Sequence, residues 1–276
     1  MQLKIKFGGI LVVFLVFLAL FGPVLFTIDP YTTHLDERLL TPLSASNDGQ
    51  RYYAFGTDQN GRDLFSRVVK GAQISLLVGL SSRLIALFIG VTLGLMAGYY
   101  GGIVDRLISA LIDCTLAFPS LLLAIAISIS LGSGLKTLII SLSIVAWADM
   151  ARIMRASVLQ IRDHDYVIAA RSLGANDLRL FRYHIIPNCI SPMIVAFSAG
   201  IATAILGEAS LSFLGLGVAP PEPSWGGMIE EARDRLASHW WLSFFPGLAL
   251  ALAVLGFNIL GDGLRDELDP SLKNLN

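Results

Sequence analysis

Arg83, Asp113 and Glu208 are ionisable residues that stand inside otherwise apolar stretches of this sequence. A charge is costly in hydrocarbon, so such residues usually pair, reach water or line a route for a polar solute. Asp113 follows Arg106 by seven residues, which places both on one helix face. Arg83 has a stem long enough to extend toward the outer headgroups. We favour structural roles for all three, and direct contact with a cargo is the alternative.

The remaining polar motifs do not match a catalytic or metal-binding pattern. The segment "GSGLKT" at 132–137 lacks the G-x-x-x-x-G-K-[ST] spacing of a phosphate loop and is predicted to be a turn. In "DQNGRD" at 58–63 the glycine is fourth rather than sixth, so a turn at Asn60 and Gly61 is favoured over a calcium loop. The histidines are too scattered for a metal site: His34, His164, His184 and His239. We predict no catalytic residue, metal or cofactor in this chain.

A very apolar chain carries these residues. Of its 276 residues, 54% are hydrophobic and 15% are charged, which is typical of an integral membrane protein. A helix needs about 20 apolar residues to cross a hydrocarbon core roughly 30 Å thick. The stretches that satisfy this are 7–28, 76–100, 107–131, 136–153, 189–210 and 241–262. They lack the alternation of barrel strands, so we predict an all-α polytopic membrane protein with six transmembrane helices.

Two of these stretches carry further signals. The first is longer than the apolar region of a secretory signal and lacks a cleavage site, so it is predicted to be an uncleaved helix. Pro119 lies within the third and predicts a break or kink there. Such a break suits a transport pathway, which tolerates irregular backbone, but packing alone could also require it.

Basic residues set the predicted orientation. The loop 154–188 and its edge carry six arginines, and Lys4 and Lys6 precede the first stretch. By the positive-inside rule this side is cytoplasmic, and an even number of spans places both termini there. The segment between the first two stretches also carries five cations, but long translocated segments follow the rule less closely.

The arginine-rich loop contains the polar stretch "DYVIAARSLGANDLRLFRYHIIPN" at 165–188. Gly174 follows a short helical pattern at the place of a left-handed C-terminal cap. Asn176 then fits the N-cap of a second helix, which Pro187 is predicted to stop. The residues expected on one face of that second helix are Leu178, Phe181 and Ile185. The stretch therefore predicts a helix, a tight turn and a second helix on the cytoplasmic surface.

Two functions suit such a hairpin. It could be an amphipathic element whose apolar face rests among lipid headgroups. Alternatively, the small residues Ala169 and Ala170 beside the turn at Gly174 would let another protein approach the backbone closely. We favour a docking element, since a surface anchor would need bulkier residues here.

Several segments resemble, in order, the second permease of the dipeptide/oligopeptide/nickel family of ABC importers. They are "FGTDQNGRDLFSR" (55–67), "FPSLLLAIAIS" (118–128), "YVIAARSLGA" (166–175), "HIIPN" (184–188), "EASLSFLGLGVAPPEPSWGGMI" (208–229) and "GDGLRDELDP" (261–270). Within them, Ala169, Ala170, Gly174 and Pro187 are similar to the "EAA" loop, the coupling helix that docks into a cytoplasmic ATPase in that family. Ile168 stands where the family has its glutamate.

The resemblance implies the type I ABC importer permease (MetI-like) fold. Residues 1–70 would form an N-terminal transmembrane helix and an extracytoplasmic segment, and residues 71–276 a five-helix permease domain with the coupling loop 154–188. The chain would be a transport subunit of the bacterial inner membrane rather than an enzyme. Asp113, Pro119 and Glu208 would lie in the pathway or support it.

The resemblance also implies partners. These are a homologous second permease, two cytoplasmic ATPases that bind ATP and Mg, a periplasmic or lipid-anchored solute-binding protein, and membrane lipid, but no nucleic acid. Short peptides are the cargo that fits the family best, with nickel, glutathione-like peptides or another small solute as alternatives.

A different class of function is a stand-alone channel or an ion-driven carrier. Such a protein would more often show inverted repeats or a chain of buried carboxylates, and neither is visible in the sequence. A third possibility, a membrane scaffold that carries nothing, would be ruled out if deletion of the gene abolished uptake.

Overall fold

The computed structural model describes residues 2–25 and 29–268, and helices make up most of this part of the chain. Its α-helices are α1 (Gln2–Leu25), α2 (Leu64–Tyr100), α3 (Gly102–Leu116), α4 (Ser120–Leu131), α5 (Leu135–Ile161), α6 (Asp165–Ser172), α7 (Asp177–Leu180), α8 (Ile186–Phe213), α9 (Trp225–Glu231) and α10 (Trp241–Leu268). A π-helical turn (Phe181–Ile185) precedes α8, and a 3₁₀ turn (Arg233–Arg235) follows α9. The strands β1 (Ser44–Ala45) and β2 (Tyr52–Tyr53) pair antiparallel.

Five helical stretches of the described chain are long and apolar enough to cross a membrane, and the pair α3 and α4 adds a sixth if it is one span. The axes of that pair differ by 89°. Pro119 is the N-cap of α4 and has an extended backbone, with φ −55° and ψ 125°. A proline there has no N–H to continue the preceding helix, and its ring excludes the helical conformation of the residue before it. Five of the six predicted spans are confirmed, and the predicted span 107–131 corresponds to the bent pair α3 and α4, with the predicted break at Pro119. The end of the first predicted span, residues 26–28, lies outside the described residues.

The helices α2, α5 and α8 form the centre of the bundle, and α2 and α5 run parallel. Gly90, Gly94 and Gly98 lie at successive turns of α2 against α5. A Cβ atom on Gly94 would lie 2.4 Å from the carbonyl oxygen of Ala151. Small residues at such positions let two helix backbones approach closely, which provides much of the packing energy between helices in lipid.

One end of the bundle gathers the ends of four helices. Lys4, in the first turn of α1, forms an ion pair with Asp266 of α10 at 3.0 Å. Arg162, which follows α5, donates from Nη1 to the carbonyl oxygen of Gly98 near the end of α2 at 2.9 Å. A cavity of about 500 Å³ at the same end is lined by Gln160 and by Arg265 of α10.

The opposite end is built from residues 29–63 and α9. Asp58 accepts hydrogen bonds from the backbone N–H groups of Asn60 and Arg62, and Gly61 has a φ of +74°, so the predicted turn at Asn60 and Gly61 is confirmed. Arg62 Nε lies 2.6 Å from the Asp58 carboxylate. Asp63 caps α2 by accepting from the Ser66 N–H at 2.7 Å, while burial raises the pKa of its carboxyl.

Trp225 lies in the core of this end. It is 1% exposed, and its Nε1 donates to the carbonyl oxygen of Val68 at 3.0 Å. By residue type, a tryptophan in the Pro- and Gly-rich segment 218–228 is predicted to suit an interfacial aromatic belt, and the burial of Trp225 shows that this prediction is wrong. A buried tryptophan needs an acceptor for its N–H, and the first turns of α2 supply one.

Candidate functional site

The predicted cytoplasmic hairpin comprises residues 162–185, which we call the hairpin segment. It is shorter than the predicted loop 154–188 because α5 continues to Ile161. Its first helix, α6, ends before Gly174, whose φ is +87°. Asn176 then caps α7 by accepting a hydrogen bond from the Arg179 N–H at 2.9 Å. The predicted helix, left-handed glycine and asparagine cap are all confirmed.

Pro187 was predicted to stop the second helix, and this prediction is wrong. The π-helical turn leads directly into α8, and Pro187 lies in the first turn of α8. The Ile186 N–H donates to the carbonyl oxygen of Phe181, five residues earlier. A wider turn of this kind accommodates the proline, which has no N–H to donate and is tolerated at the start of a helix.

Buried apolar side chains anchor the hairpin segment to the bundle. Val167, Leu180 and Ile185 are each 0% exposed. Phe181 packs edge-on against the ring of Tyr99, with 4.7 Å between the ring centroids. The segment is therefore packed against the end of α2 rather than lying free on the surface.

Polar contacts strengthen the same attachment. The Tyr99 hydroxyl donates to Asp177 Oδ1 at 2.7 Å, and the Tyr100 hydroxyl donates to Asp177 Oδ2 at 3.1 Å. The guanidinium of Arg171 lies over the ring of Tyr99, 5.3 Å from its centroid. One aromatic residue at the end of α2 thus contacts α6, α7 and the π-helical turn. No local sequence pattern marked Tyr99, Tyr100 or Asp177 as part of this site.

The outer face of the hairpin segment is open. Ala169, Gly174 and Pro187 are exposed, and Ala170 is half-buried. A Cβ atom on Gly174 would meet nothing within 4 Å. Two apolar side chains flank this turn in solvent, Leu173 at 89% and Leu178 at 73% exposure.

Leu178 and Ile185 were predicted to lie on one face of the second helix, but Leu178 is exposed while Ile185 is buried. Since α7 is only four residues long and a wider π-helical turn follows it, the 3.6-residue period does not hold across the element. Exposed leucines around a glycine turn leave apolar surface uncovered by this chain, which is typical of a protein-binding surface.

Asp113 and Glu208 do not join this site. Asp113 Oδ1 lies 3.4 Å from Arg152 Nη2, and both side chains are largely exposed, so its partner is on α5 and not Arg106 of its own helix. Glu208 is 0% exposed and accepts hydrogen bonds from the hydroxyls of Ser75 at 2.9 Å and Ser212 at 2.7 Å. These contacts agree with structural roles for both residues.

Arg83 also contacts another helix rather than extending along its own toward the headgroups. Its Nη2 donates to Thr203 Oγ1 on α8 at 2.7 Å, and its side chain lies across Gly200. Among the described residues there is no group of three or more His, Cys, Asp or Glu that could hold a metal ion.

Comparisons with known proteins identify the family. The profile of the family described as "Binding-protein-dependent transport system inner membrane component" matches residues 90–274. The di/tripeptide transport system permease protein DppC of Pseudomonas aeruginosa is 47% identical over 268 residues, which cover 97% of this chain and 88% of the relative. The oligopeptide transport system permease protein OppC of Bacillus subtilis is 40% identical, over 96% of this chain and 85% of the relative.

Solved structures show the same fold. A permease chain of the MetNI methionine ABC transporter in an inward-facing conformation matches with a TM-score of 0.60 and 19% identity, over 74% of this chain and 96% of that chain. A chain of an amino acid ABC transporter solved with histidines matches with a TM-score of 0.56 at the same identity. The predicted all-α ABC importer permease fold is confirmed, and the chain belongs to the family of inner membrane components of binding-protein-dependent transport systems.

Proposed function

We propose that this chain is one permease subunit of an ATP-driven importer in the bacterial cytoplasmic membrane, where it forms half of a pathway for di- and oligopeptides. The observation that carries the proposal is the hairpin segment, a helical element with an exposed glycine turn that is packed and hydrogen-bonded to the end of α2. The names of relatives at 47% and 40% identity support peptides as the cargo.

The hairpin segment would dock into a groove of a partner ATPase. Ala169 and Ala170 present little side chain, and Gly174 presents none, so a partner surface can approach the backbone there. Leu173 and Leu178 would enter apolar pockets of that partner, which would remove their exposed surface from water. Pro187 would fix the entry into α8.

Coupling follows from the rigidity of this attachment. When ATP draws the two ATPases together, a docked hairpin segment moves with them. Because Tyr99 and Tyr100 hold Asp177, and Phe181 packs on Tyr99, that displacement passes to α2 instead of being lost in a flexible loop. ATP-driven closure would open the cavity outward to receive cargo, and hydrolysis would reset it inward.

The proposal assigns ATP hydrolysis to the partners. This chain would be a transport subunit without a cofactor of its own, and two cytoplasmic ATPase subunits would bind ATP and Mg. A homologous second permease would complete the pathway as a heterodimer. A solute-binding protein would deliver cargo to the end formed by residues 29–63 and α9. In this division of the chain, residues 71–276 form the permease domain, and residues 1–70 add an N-terminal transmembrane helix and an extracytoplasmic segment.

The proposed orientation places both termini in the cytoplasm. Two observations support this orientation. Six arginines lie in and beside the hairpin segment, which favours the cytoplasmic side, and the ion pair between Lys4 and Asp266 brings α1 and the end of α10 together. Other cargoes remain second candidates. The relative named glutathione transport system permease protein GsiD, from Pectobacterium atrosepticum, is 47% identical over 79% of this chain, which favours a modified peptide over nickel.

Affinity purification of the tagged chain from gently solubilised membranes tests the proposal. We expect a second permease and ATPase subunits to be recovered with it, and the purified assembly to hydrolyse ATP faster when the solute-binding protein and a peptide are added. Recovery of the chain alone, with transport in liposomes that needs no ATP, would instead identify a channel or an ion-driven carrier.

A further inference from the structure

A cavity of about 320 Å³ with a partly polar lining lies among α2, α4, α5 and α8. Its volume falls in the usual range of small-molecule sites, about 300–1,000 Å³. Its polar lining comprises Arg83, Ser120, Asp149, Thr203 and Ser210. The rest of the lining is apolar or glycine, so one cation, one anion and three hydroxyls face a space bounded largely by hydrocarbon.

Asp149 is the more unusual of the two charges. It lies near the middle of α5, a helix long and apolar enough to span the membrane, and its side chain is exposed. None of the described residues hydrogen-bonds to its carboxylate or forms an ion pair with it. A carboxylate at this depth needs water, a partner subunit or a ligand around it, since lipid would not solvate it.

Arg83 provides a cation on the same cavity but forms no ion pair or hydrogen bond with Asp149 in the described chain. Its Nη2 is bound to the neutral hydroxyl of Thr203, and its Nε is buried without an acceptor in the described chain. A guanidinium that keeps donors free in a membrane-embedded cavity can bind a carboxylate by charge-assisted hydrogen bonds.

The offset between the backbones of Arg83 and Asp149 along the bundle can be read from the packing of α2 on α5. Ser143 of α5 donates from its hydroxyl to the carbonyl oxygen of Ser82, so Arg83 begins at the level of Ser143. Asp149 follows six residues later, ~9 Å along the helix axis. An extended peptide advances by at most ~3.3–3.6 Å per residue, which separates the termini of a di- or tripeptide by about 7–10 Å.

We propose that Arg83 and Asp149 form a subsite for a short zwitterionic peptide in transit, in which Arg83 binds the terminal carboxylate and Asp149 binds the terminal ammonium group. This inference rests on the proposed function and specifies the cargo by its chemistry. The apolar lining supplied by Leu142 and Val145 contacts side chains without selecting a sequence, so the subsite reads the two termini and their separation.

The test uses the complete importer, purified in detergent, and labelled dialanine as the probe. Equilibrium binding is measured without the solute-binding protein, in competition with N-acetyl-dialanine and with dialanine amide. The wild-type complex is expected to bind either blocked peptide about tenfold or more weakly than dialanine, the loss for one charge-assisted hydrogen bond.

Each variant should lose one half of this selectivity. Asp149→Asn is expected to weaken dialanine binding by about tenfold and to bind N-acetyl-dialanine as well as dialanine, while still discriminating against dialanine amide. Arg83→Gln is expected to weaken dialanine binding by the same factor and to bind dialanine amide as well as dialanine, while still discriminating against the acetylated peptide. Arg83→Lys keeps the charge and should retain most binding, which separates loss of charge from misfolding. In the binding assay, which contains no solute-binding protein, the matched controls are Arg233→Gln and Asp234→Asn, which remove an exposed cation and an exposed anion away from the cavity.

Uptake by the same complexes in proteoliposomes, with ATP and the solute-binding protein, distinguishes failure of the subsite from failure of the proposed function. Unchanged binding and selectivity in Asp149→Asn and Arg83→Gln, with ATP-dependent uptake intact, would overturn the subsite and leave the proposed function standing. If the wild-type complex assembles with its ATPases but transports no peptide, the proposed function fails, and the subsite fails with it.

Discussion

The Tyr99 hydroxyl at the end of α2 donates a hydrogen bond to the Asp177 carboxylate of α7 at 2.7 Å, across 78 residues of sequence. This bond joins the longest helix of the central bundle to the hairpin segment. The neighbouring Tyr100 hydroxyl binds the other carboxylate oxygen, so Asp177 is held from two sides. A movement of α7 that preserves these bonds must also move α2.

The first prediction concerns this link. We expect the double variant Tyr99→Phe and Tyr100→Phe to assemble normally but to transport about three- to tenfold less peptide per ATP hydrolysed, because two hydrogen bonds to a charged group are lost while the ring contacts remain. Uptake and ATP hydrolysis are measured in the same proteoliposomes. Tyr183→Phe is the matched control, since the hydroxyl of this exposed tyrosine of the same segment makes no hydrogen bond with any described residue. Equal coupling ratios in the double variant and the control would contradict the mechanical role of the link.

The second prediction concerns the turn. Gly174 has a φ of +87°, which proline cannot adopt, so Gly174→Pro should abolish ATPase coupling while leaving membrane insertion intact. Gly174→Asn should retain most coupling, since asparagine tolerates a positive φ and the space around a Cβ atom is open within this chain. The readouts are ATPase recovery with the tagged permease and ATP-dependent uptake.

Gly49→Pro is the control for the Gly174 variants. Gly49 also has a positive φ and open space around it, but it lies in the segment before α2, at the opposite end of the bundle. It should recover the ATPase normally. Normal uptake by Gly174→Pro would overturn the assignment of the hairpin segment as the docking element.

Local signals made much of this site predictable. The positions of Gly174 and Asn176 follow from the backbone conformation and hydrogen bond that each residue type favours next to a helix. The spans follow from length and composition, because lipid requires about 20 apolar residues per helix whatever the tertiary contacts are. Pro119 was correctly placed at a break because it lies within a span, where a missing N–H has a large effect.

The incorrect predictions arose where one residue type suits two environments. Pro187 is compatible with a helix stop and with the first turn of a helix, and only the π-helical turn before it distinguishes the two. Trp225 suits a membrane interface as well as a core that offers an acceptor. The acceptor, the carbonyl oxygen of Val68, is 157 residues away in sequence and could not be inferred from local pattern.

Non-local pairing explains what the sequence analysis missed. Tyr99 and Asp177 are ordinary surface residues until the fold brings them together. Asp149 was not singled out from the sequence, although it lies within the apolar stretch 136–153. Its significance depends on a cavity to which four helices contribute.

The third prediction concerns Glu208. Its carboxylate accepts from Ser75 on α2 and from Ser212 on α8, and Ser212 also contacts Ser224, the N-cap of α9. Glu208→Ala should destabilise the permease by about 1–3 kcal/mol, because two buried hydroxyls lose their acceptor. Glu208→Gln should cost less, since a serine hydroxyl can accept from the amide as well as donate to it.

Thermal unfolding of the purified complex measures the effect of the Glu208 variants. Glu267→Ala serves as the control, because Glu267 of α10 makes no hydrogen bond or ion pair within the described chain. If Glu208→Ala melts at the same temperature as Glu267→Ala, these hydrogen bonds do not hold α8 to α2 and α9.

The fourth prediction concerns the packing of α2 on α5. A Cβ atom on Gly94 would lie 2.4 Å from the Ala151 carbonyl oxygen and 2.8 Å from Met154 Cβ, and backbone atoms cannot move aside as a flexible side chain can. Gly94→Val must therefore separate the two helices, which costs about 1–3 kcal/mol or more and removes contacts along the whole interface. We expect about a tenfold loss of intact complex on size-exclusion chromatography in mild detergent. Gly9→Val on α1 is the control, since nothing lies within 4 Å of its Cβ position. Equal recovery of both variants would mean that the close contact between α2 and α5 does not determine the stability of the bundle.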